Sequence, residues 1–391
     1  MNTEKSVYIV TFHPFPVGLA PTNRILCYAR GLQGNGMPCK VVTMAFSDSL
    51  RGEYCNIPYV CFSRGPQKNV SVRLFRFWFR LKSLLLGFTY CCRNIRRDDI
   101  IIIYSQMLMA NLLFLALARW KRIRIYYELC EIPFYNQKII NRFYRFITLR
   151  FFFPLFRGFI VISTELKLLA EKHKAKMAHI IKIPIMVDQD RFLTDSYTDM
   201  PDLYKERLFI FYAGAISEKK DGIVSSVKAY IQAQKQIKDA LLYLIAGPPS
   251  PDLLEINELA VRHHMEDSIL YVGNLRPEEV VGYLKHAVLF ISNKKNTLQN
   301  RNGFSTKIGE VLISGIPVIT TDVGELSLYL QDGISAYIVP SAQQEMISEK
   351  IVRAFTFPEE RRRIATAGKK VAVQQFDSMV QGRRLVDFLR I

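Results

Sequence analysis

The chain has 391 residues, too many for one ordinary domain and suited to two of about 150–200 residues each. An apolar content of 49% is ample for two cores and excludes a disordered chain, while the formal net charge of +18 is unevenly placed. Residues 1–191 hold 29 Lys and Arg against 11 Asp and Glu, whereas residues 192–391 hold 24 of each, so only the first half suits a polyanion such as nucleic acid, an anionic bilayer face or a phosphate-bearing substrate.

In chain order, VYIVTF (7–12) reads as a strand, followed by a helix over about 22–33 and a second strand, CKVVTMA (39–45). The opening Met-Asn-Thr-Glu-Lys lacks the charged head and long apolar run of a signal peptide, which points to a cytoplasmic chain. Residues 100–118 carry no charge over nearly a membrane-spanning length. Ser105, Gln106 and Asn111 interrupt them, so they divide into a buried strand, IIIIY (100–104), and a helix ending near Arg119. Strands at 122–128 and 158–163 precede a short helix from about Thr164. Strands alternating with helices in this way predict a parallel sheet with crossover helices. The pattern pauses at about 184–206, a stretch of Pro, Asp, Ser and Thr, and that is the expected domain boundary.

A second series follows: strands at 208–214, 241–247, 268–273, 288–293, 316–321 and 336–340, with a helix at about 221–237 and a long last helix over about 358–391. The expected fold is α/β, with two doubly wound Rossmann-like domains facing an interdomain cleft. The domains run 1–190 and 207–370, and the helical end, 371–391, packs back on the first. All seven cysteines lie in the first half, with no C-x-x-C pair and no His cluster, which fits buried thiols in a reducing compartment.

Neither G-x-G-x-x-G after the first strand nor G-x-x-x-x-G-K-S/T is present. Instead NGFSTKIGEVLISGIPVITTDVGE (302–325) sets a small polar turn before a helix bearing Glu310, about two turns in, where a carboxylate could accept both hydroxyls of a ribose. GAISEKKDGI (214–223) places Lys219 and Lys220 before another helix start, poised for a diphosphate. Asp188-Gln-Asp190 has D-x-D spacing but sits in the linker, and His263-His264 has no third ligand, so no metal is assigned.

In order along nearly the whole chain, FHPFPVGLAPTNRI (12–25), YELCEIP (127–133), VISTELK (161–167), IPIMVDQDRF (183–192), FYAGAISEKKDGI, LIAGPP, VGNLRPEEVVGYLKHAVLFIS and FSTKIGEVLISGIPVITTDVGE resemble the retaining glycosyltransferases of group 1 (family 4), which have the GT-B fold. The resemblance implies that Lys220, helped by Lys219 or Lys307, contacts a donor diphosphate. Gly303, Phe304, Ser305 and Thr306 offer it backbone N–H groups, with Gly214 and Gly18 beside it. Glu310 grips the ribose, and Asn274 and Leu275 line the base pocket. Asn302 stands where the family has an acidic residue touching the transferred sugar, and Ala215 where it has an arginine. The opening loop and its Arg-bearing helix reach towards donor and acceptor, with Glu131 as the candidate for touching the acceptor.

The implied enzyme is a metal-independent hexosyltransferase without a cofactor. It moves a sugar from a UDP- or GDP-linked donor to a saccharide or lipid-linked acceptor in surface-polysaccharide assembly. A nucleotide-sugar-binding protein of weak activity is the alternative. The Arg–aromatic stretches 73–97 and 141–159 suit single-stranded nucleic acid or an interfacial membrane surface, and the family context favours the inner membrane face over nucleic acid.

Overall fold

A computed structural model describes residues 5–47, 49–64, 73–135, 138–193 and 200–391. The chain forms two compact units, Met1–Val187 with Ser378–Ile391, and Asp188–Asp377.

In unit 1, β1 (Val7–Thr11), α1 (Ala20–Gly34), β2 (Cys39–Ser47), β3 (Arg51–Tyr54), β4 (Ile57–Arg64), α2 (Arg73–Asn94), β5 (Ile100–Tyr104), α3 (Leu108–Lys121), β6 (Arg124–Leu129), α4 (Ile139–Ile147), β7 (Gly158–Val161), α5 (Thr164–His173) and β8 (His179–Lys182) follow one another. Among the described residues the sheet has eight strands in the order β3-β4-β2-β1-β5-β6-β7-β8. Every pairing is parallel except β3 with β4. Central β5 is uniformly apolar because helices cover both faces of such a sheet, and Ile100–Ile103 are all buried. The β3–β4 hairpin falls outside the strands expected from sequence. Its turn is Cys55-Asn56, with φ of 51° and 62°. Two left-handed residues match the twist of paired strands, and Asn56 supplies one cheaply. The seven cysteines are free thiols, four of them buried.

Unit 2 begins with the short helices α6 (Asp190–Leu193) and α7 (Asp202–Lys205). It continues through β9 (Phe209–Ala213), α8 (Glu218–Asp221), α9 (Ile223–Gln234), β10 (Leu242–Ala246), α10 (Pro251–Arg262), β11 (Ile269–Gly273), α11 (Pro277–His286), β12 (Leu289–Ser292), α12 (Leu298–Asn302), α13 (Thr306–Ser314), β13 (Val318–Thr321), β14 (Tyr337–Val339), α14 (Gln344–Thr356) and α15 (Pro358–Gln375). The order β11-β10-β9-β12-β13-β14 is parallel throughout and reverses direction around β9, which puts a switch point at its carboxyl end. The helix expected over about 221–237 is α9, and left-handed Gly222 (φ 63°) separates it from the extra turn α8 that precedes it.

The single helix expected over 358–391 is two. Phe376 is buried against Phe304 and Tyr329 at ring separations of 5.5 and 5.2 Å, which draws the chain out of helical register after α15. Position 371 therefore lies inside α15, and the chain re-enters unit 1 only at α16 (Ser378–Arg390). There α16 crosses α1 at a glycine pair: a Cβ on Gly31 would stand 2.3 Å from the Ser378 carbonyl oxygen, and one on Gly382 would stand 2.4 Å from the Gly31 backbone. Leu385, Val386, Phe388 and Leu389 complete the core that holds Ile25, Leu32, Ile100 and Tyr126. Among the described residues no helix is long and apolar enough to cross a membrane.

Candidate functional site

In unit 2 the candidate residues converge at the carboxyl ends of β9 and β12 and at the start of α13. Gly214 follows β9, its N–H donating to the Ala246 carbonyl at 3.0 Å. A Cβ there would lie 2.7 Å from Lys307 Cε and 2.9 Å from the Tyr212 hydroxyl, so a glycine is what lets Lys307 reach the strand end. On the other side, a Cβ on Gly247 would sit 1.9 Å from the Gly214 carbonyl oxygen. Ser217 caps α8 by accepting the Lys220 N–H at 3.3 Å. Lys219 and Lys220 both ride on that turn with exposed side chains, inside the short α8 and just before the start of α9.

A second layer of contacts fixes the turn. The Glu218 N–H donates to Asp252 at 2.8 Å, while its carboxylate accepts from Ser225 Oγ and pairs with Lys295, each at 2.5 Å. Burial opposes that charge, but Lys295 and Ser225 outweigh it and hold Glu218 below the usual carboxylate range. Asp221 pairs with Lys294 at 2.5 Å. The Asn300 amide donates to the carbonyls of Lys220 and Lys295, at 3.0 and 2.9 Å. Lys294, just past β12, is the cation that sequence reasoning missed. Its only signal is that it follows a strand of the same sheet.

Lys307 lies in the first turn of α13, where the leading N–H groups of any α-helix lack intrahelical partners. Burial lowers its pKa, and Lys294 and Lys220 lower it further, against the opposing pull of Glu310 and Asp221. The Lys294–Asp221 pair, the Asn300 bond to the Lys220 carbonyl and the approach of Lys307 Cε to Gly214 bring these three lysines together past the ends of β9 and β12. A turn that presents helix N–H groups beside clustered ammonium groups is suited to bind a diphosphate. Glu310 lies one turn into α13 rather than two, because the helix starts only at Thr306. Arg191 Nη1 stands 3.8 Å from its Oε1.

Other expected residues sit differently. The Gly303 N–H donates to the Gln299 carbonyl at 3.1 Å, so it closes α12 and is not offered to a ligand. Phe304 stacks on Tyr329 at 5.4 Å and meets Phe376 edge-on, which leaves only its backbone for binding. Ser305 is the N-cap of α13 but makes no side-chain cap, and Thr306 is the first helical residue. Asn302 ends α12, is buried, and donates its amide to the Leu298 carbonyl at 2.7 Å. Exposed Asn274 and half-buried Leu275 follow edge strand β11. Asp188 is buried, and His263-His264 close α10; among the described residues no three His, Cys, Asp or Glu side chains are grouped to hold a metal.

In unit 1, Gly18 lies in the loop between β1 and α1, where a Cβ would meet Thr22 Oγ1 at 2.2 Å. That hydroxyl donates to the Pro14 carbonyl at 2.7 Å and folds the loop onto the helix start. His13, in the same loop, packs on Tyr104 at 4.7 Å between ring centres, and burial lowers its pKa. Exposed Glu131 follows β6 and accepts from Gln106 Nε2 at 3.4 Å.

The Arg-bearing helix does not reach outward. Arg24 is 3% exposed, and its Nε donates to Glu128 Oε1 at 2.7 Å. Its Nη atoms donate to the carbonyls of Pro184 and Ile183, at 2.6 and 2.9 Å. Tyr28 donates to the same carboxylate at 2.9 Å. Burial works against the guanidinium, but Cys130, Tyr28 and Glu128 keep its pKa well raised. Glu128 is invisible to sequence patterning, since its alternation in β6 reads as ordinary strand.

Residues 196–371 match the family model described as Glycosyl transferases group 1. A segment of 101 residues is 27% identical to a sucrose synthase of Melioribacter roseus, a match that spans 25% of this chain and 12% of that relative's length. Among solved structures, sucrose-phosphate synthase of Thermosynechococcus elongatus superposes with a TM-score of 0.76 at 14% identity, covering 99% of this chain and 98% of that one. Anabaena HepE in complex with UDP superposes with a TM-score of 0.70 at 13% identity, covering 98% and 99%. At these identities the structural likeness establishes the fold: two Rossmann-like domains of the GT-B kind.

Proposed function

We propose that this chain, whose second unit belongs to the group 1 glycosyl transferases, moves a hexose from a UDP- or GDP-linked donor onto a saccharide or lipid-linked acceptor with retention of configuration. The observation that carries this reading is the gathering of Lys220, Lys294 and Lys307 past the ends of β9 and β12, beside the start of the helix α13 that bears Glu310. As the bond between the sugar's anomeric carbon and the diphosphate oxygen breaks, negative charge collects on the leaving phosphate. The three ammonium groups and the N–H groups of Ser305, Thr306 and Lys307 stabilise it. The acceptor hydroxyl attacks on the face the diphosphate leaves, and its proton passes to the departing phosphate, so neither a protein nucleophile nor a metal is required. Positioning supplies much of the rate.

Glu310 accepts the ribose hydroxyls, Asn274 and Leu275 flank the base, and Gly214 leaves room beside the phosphates. Asn302 borders the transferred sugar, Gly18 admits the opening loop, and Glu131 meets the acceptor. The similarity to a structure that holds UDP supports a uridine nucleotide. The cationic first half supports work at the cytoplasmic membrane face, in building a surface glycan.

A thermal-shift series with UDP, GDP, ADP and their sugar conjugates tests the donor assignment, since a ligand of the native state raises the melting temperature. One nucleotide family should stabilise the wild type and fail to stabilise Glu310→Ala. Stabilisation by oligonucleotides alone would reject the reading in favour of a nucleic-acid protein.

A further inference from the structure

The helix α4 (Ile139–Ile147) is amphipathic the wrong way round for a surface helix. At the helical repeat, Ile139, Ile140, Phe143, Phe146 and Ile147 share an arc of about 120°, with Asn141, Arg142 and Arg145 on the opposite side. An ordinary surface helix turns such an arc inward. Here no residue of α4 is buried, and Ile139, Phe143 and Phe146 are 85%, 56% and 58% exposed.

The arc continues beyond the helix. A π-helical turn, Thr148–Phe152, follows without a break in right-handed helical backbone, and it adds exposed Phe151. Only the inner side of this turn is anchored, through buried Thr148 and, just past it, Phe153. Helix α3 packs against this turn and against α2, whose Phe77 and Trp78 are also exposed.

The charge beside the arc has one sign. Between Glu131 and Glu165 the chain has no acidic residue, while Lys138, Arg142, Arg145, Arg150 and Arg157 fall in that interval. Arg142 borders Phe146 on the helical wheel, so its long stem can lie along apolar surface while its guanidinium reaches a phosphate plane.

We propose that α4 and the following turn are a membrane-docking element that buries Ile139, Ile140, Phe143, Phe146 and Phe151 in the interface of an anionic bilayer, with Arg142 at the edge of the arc reaching the headgroup phosphates and Arg145 adding to the cationic field that attracts them. This deepens the membrane part of the proposed function and rests on it. A second copy of the chain is the weaker occupant, because pairing this face with itself would bring two cationic surfaces together. A bilayer rich in phosphatidylglycerol meets both the apolar arc and the charge.

The test is co-sedimentation of the full-length protein with vesicles of phosphatidylcholine alone or mixed with phosphatidylglycerol. Wild type should bind the anionic vesicles and leave the neutral ones. Both F143S/F146S and R142E/R145E should bind at least about tenfold more weakly, and L254S, at an exposed leucine of unit 2, should match wild type. Circular dichroism and the nucleotide-induced melting shift report folding and the donor site separately. Undiminished vesicle binding by F143S/F146S overturns the proposal, as does equal binding to neutral vesicles. Concentration-dependent dimerisation without vesicles, abolished in F143S/F146S, also overturns it and assigns the face to a second copy. Vesicle binding with no nucleotide shift would leave the docking element standing and remove the donor assignment.

Discussion

The two units are built alike and finished differently. Each wraps helices around a parallel sheet whose central strand is apolar: Ile100–Ile103 in unit 1 and Phe209–Phe211 in unit 2, all buried. Outside that frame they diverge in what they do with positive charge. In unit 1 the basic residues of α4 spread beside uncovered aromatic rings, and residues 1–191 carry the whole excess of +18. Unit 2 has little net charge to spend, yet Lys294 and Lys307 are drawn together against Asp221 and Glu310 at one turn. A total charge thus says little about what a domain binds. Dispersed cations beside apolar surface suit a broad anionic face, whereas confined cations facing carboxylates suit a small polyanion that can displace or share them.

The comparison breaks most sharply at the buried pair in unit 1. Arg24→Met strands the Glu128 carboxylate away from water and should cost about 3–5 kcal/mol. Urea unfolding followed by hydrogen exchange of the unit 1 backbone amides reads that unit directly. An unchanged midpoint would mean that the pair is not sealed in solution. Next in size, Glu310→Gln keeps the shape of the side chain but removes a charged acceptor, and should weaken nucleoside-diphosphate binding by about 1.5–3 kcal/mol in calorimetry.

Acidity sharpens the contrast further. The folded pKa of Lys307 lies below the ordinary 10.5, so a diphosphate that needs the ammonium form should bind less tightly as pH rises through that depressed value. Lys307→Met should flatten the alkaline limb of the affinity profile. His13 moves unit 1 in the other direction. Its folded pKa is below 6.5, so the unfolded chain takes up the proton more readily, and the stability it contributes is complete above pH 6.5 and lost as pH falls below it. His13→Gln should remove that acid limb from the unit 1 unfolding curve. Smallest of all, Lys228→Ala should change unit 2 melting by no more than about 1 kcal/mol, since the pair Lys228–Glu255 is substantially exposed on both sides.

The central strands were legible because four consecutive isoleucines can hardly be anything but a buried strand. The turn before Glu310 was legible as a motif, but its geometry was not. Nothing in NGFST states that Gly303 would spend its N–H on Gln299, or that Phe304 would be held by Tyr329 and Phe376 from far along the chain. Arg24 shows the same limit. An arginine in a loop-to-helix segment reads as a ligand contact, and only the fold reveals a carboxylate 104 positions away waiting for it. The break between α15 and α16 has no proline or glycine to announce it. The Cys55-Asn56 turn was equally quiet, because cysteine seldom marks a left-handed corner.

The return of α16 makes unit 2 an insertion within unit 1, and the hydrogen bond from the Ser378 N–H to the Val187 carbonyl, 2.9 Å, fastens its two ends side by side. While unit 2 is folded, α16 is delivered beside α1. If unit 2 melted, closing a loose segment as long as 188–377 would cost about 5 kcal/mol in chain entropy. The inserted unit therefore acts as a staple across a long loop. During synthesis on the ribosome, the core of unit 1 must wait until α16 has been made, and a nucleotide that steadies unit 2 should also slow the opening of unit 1.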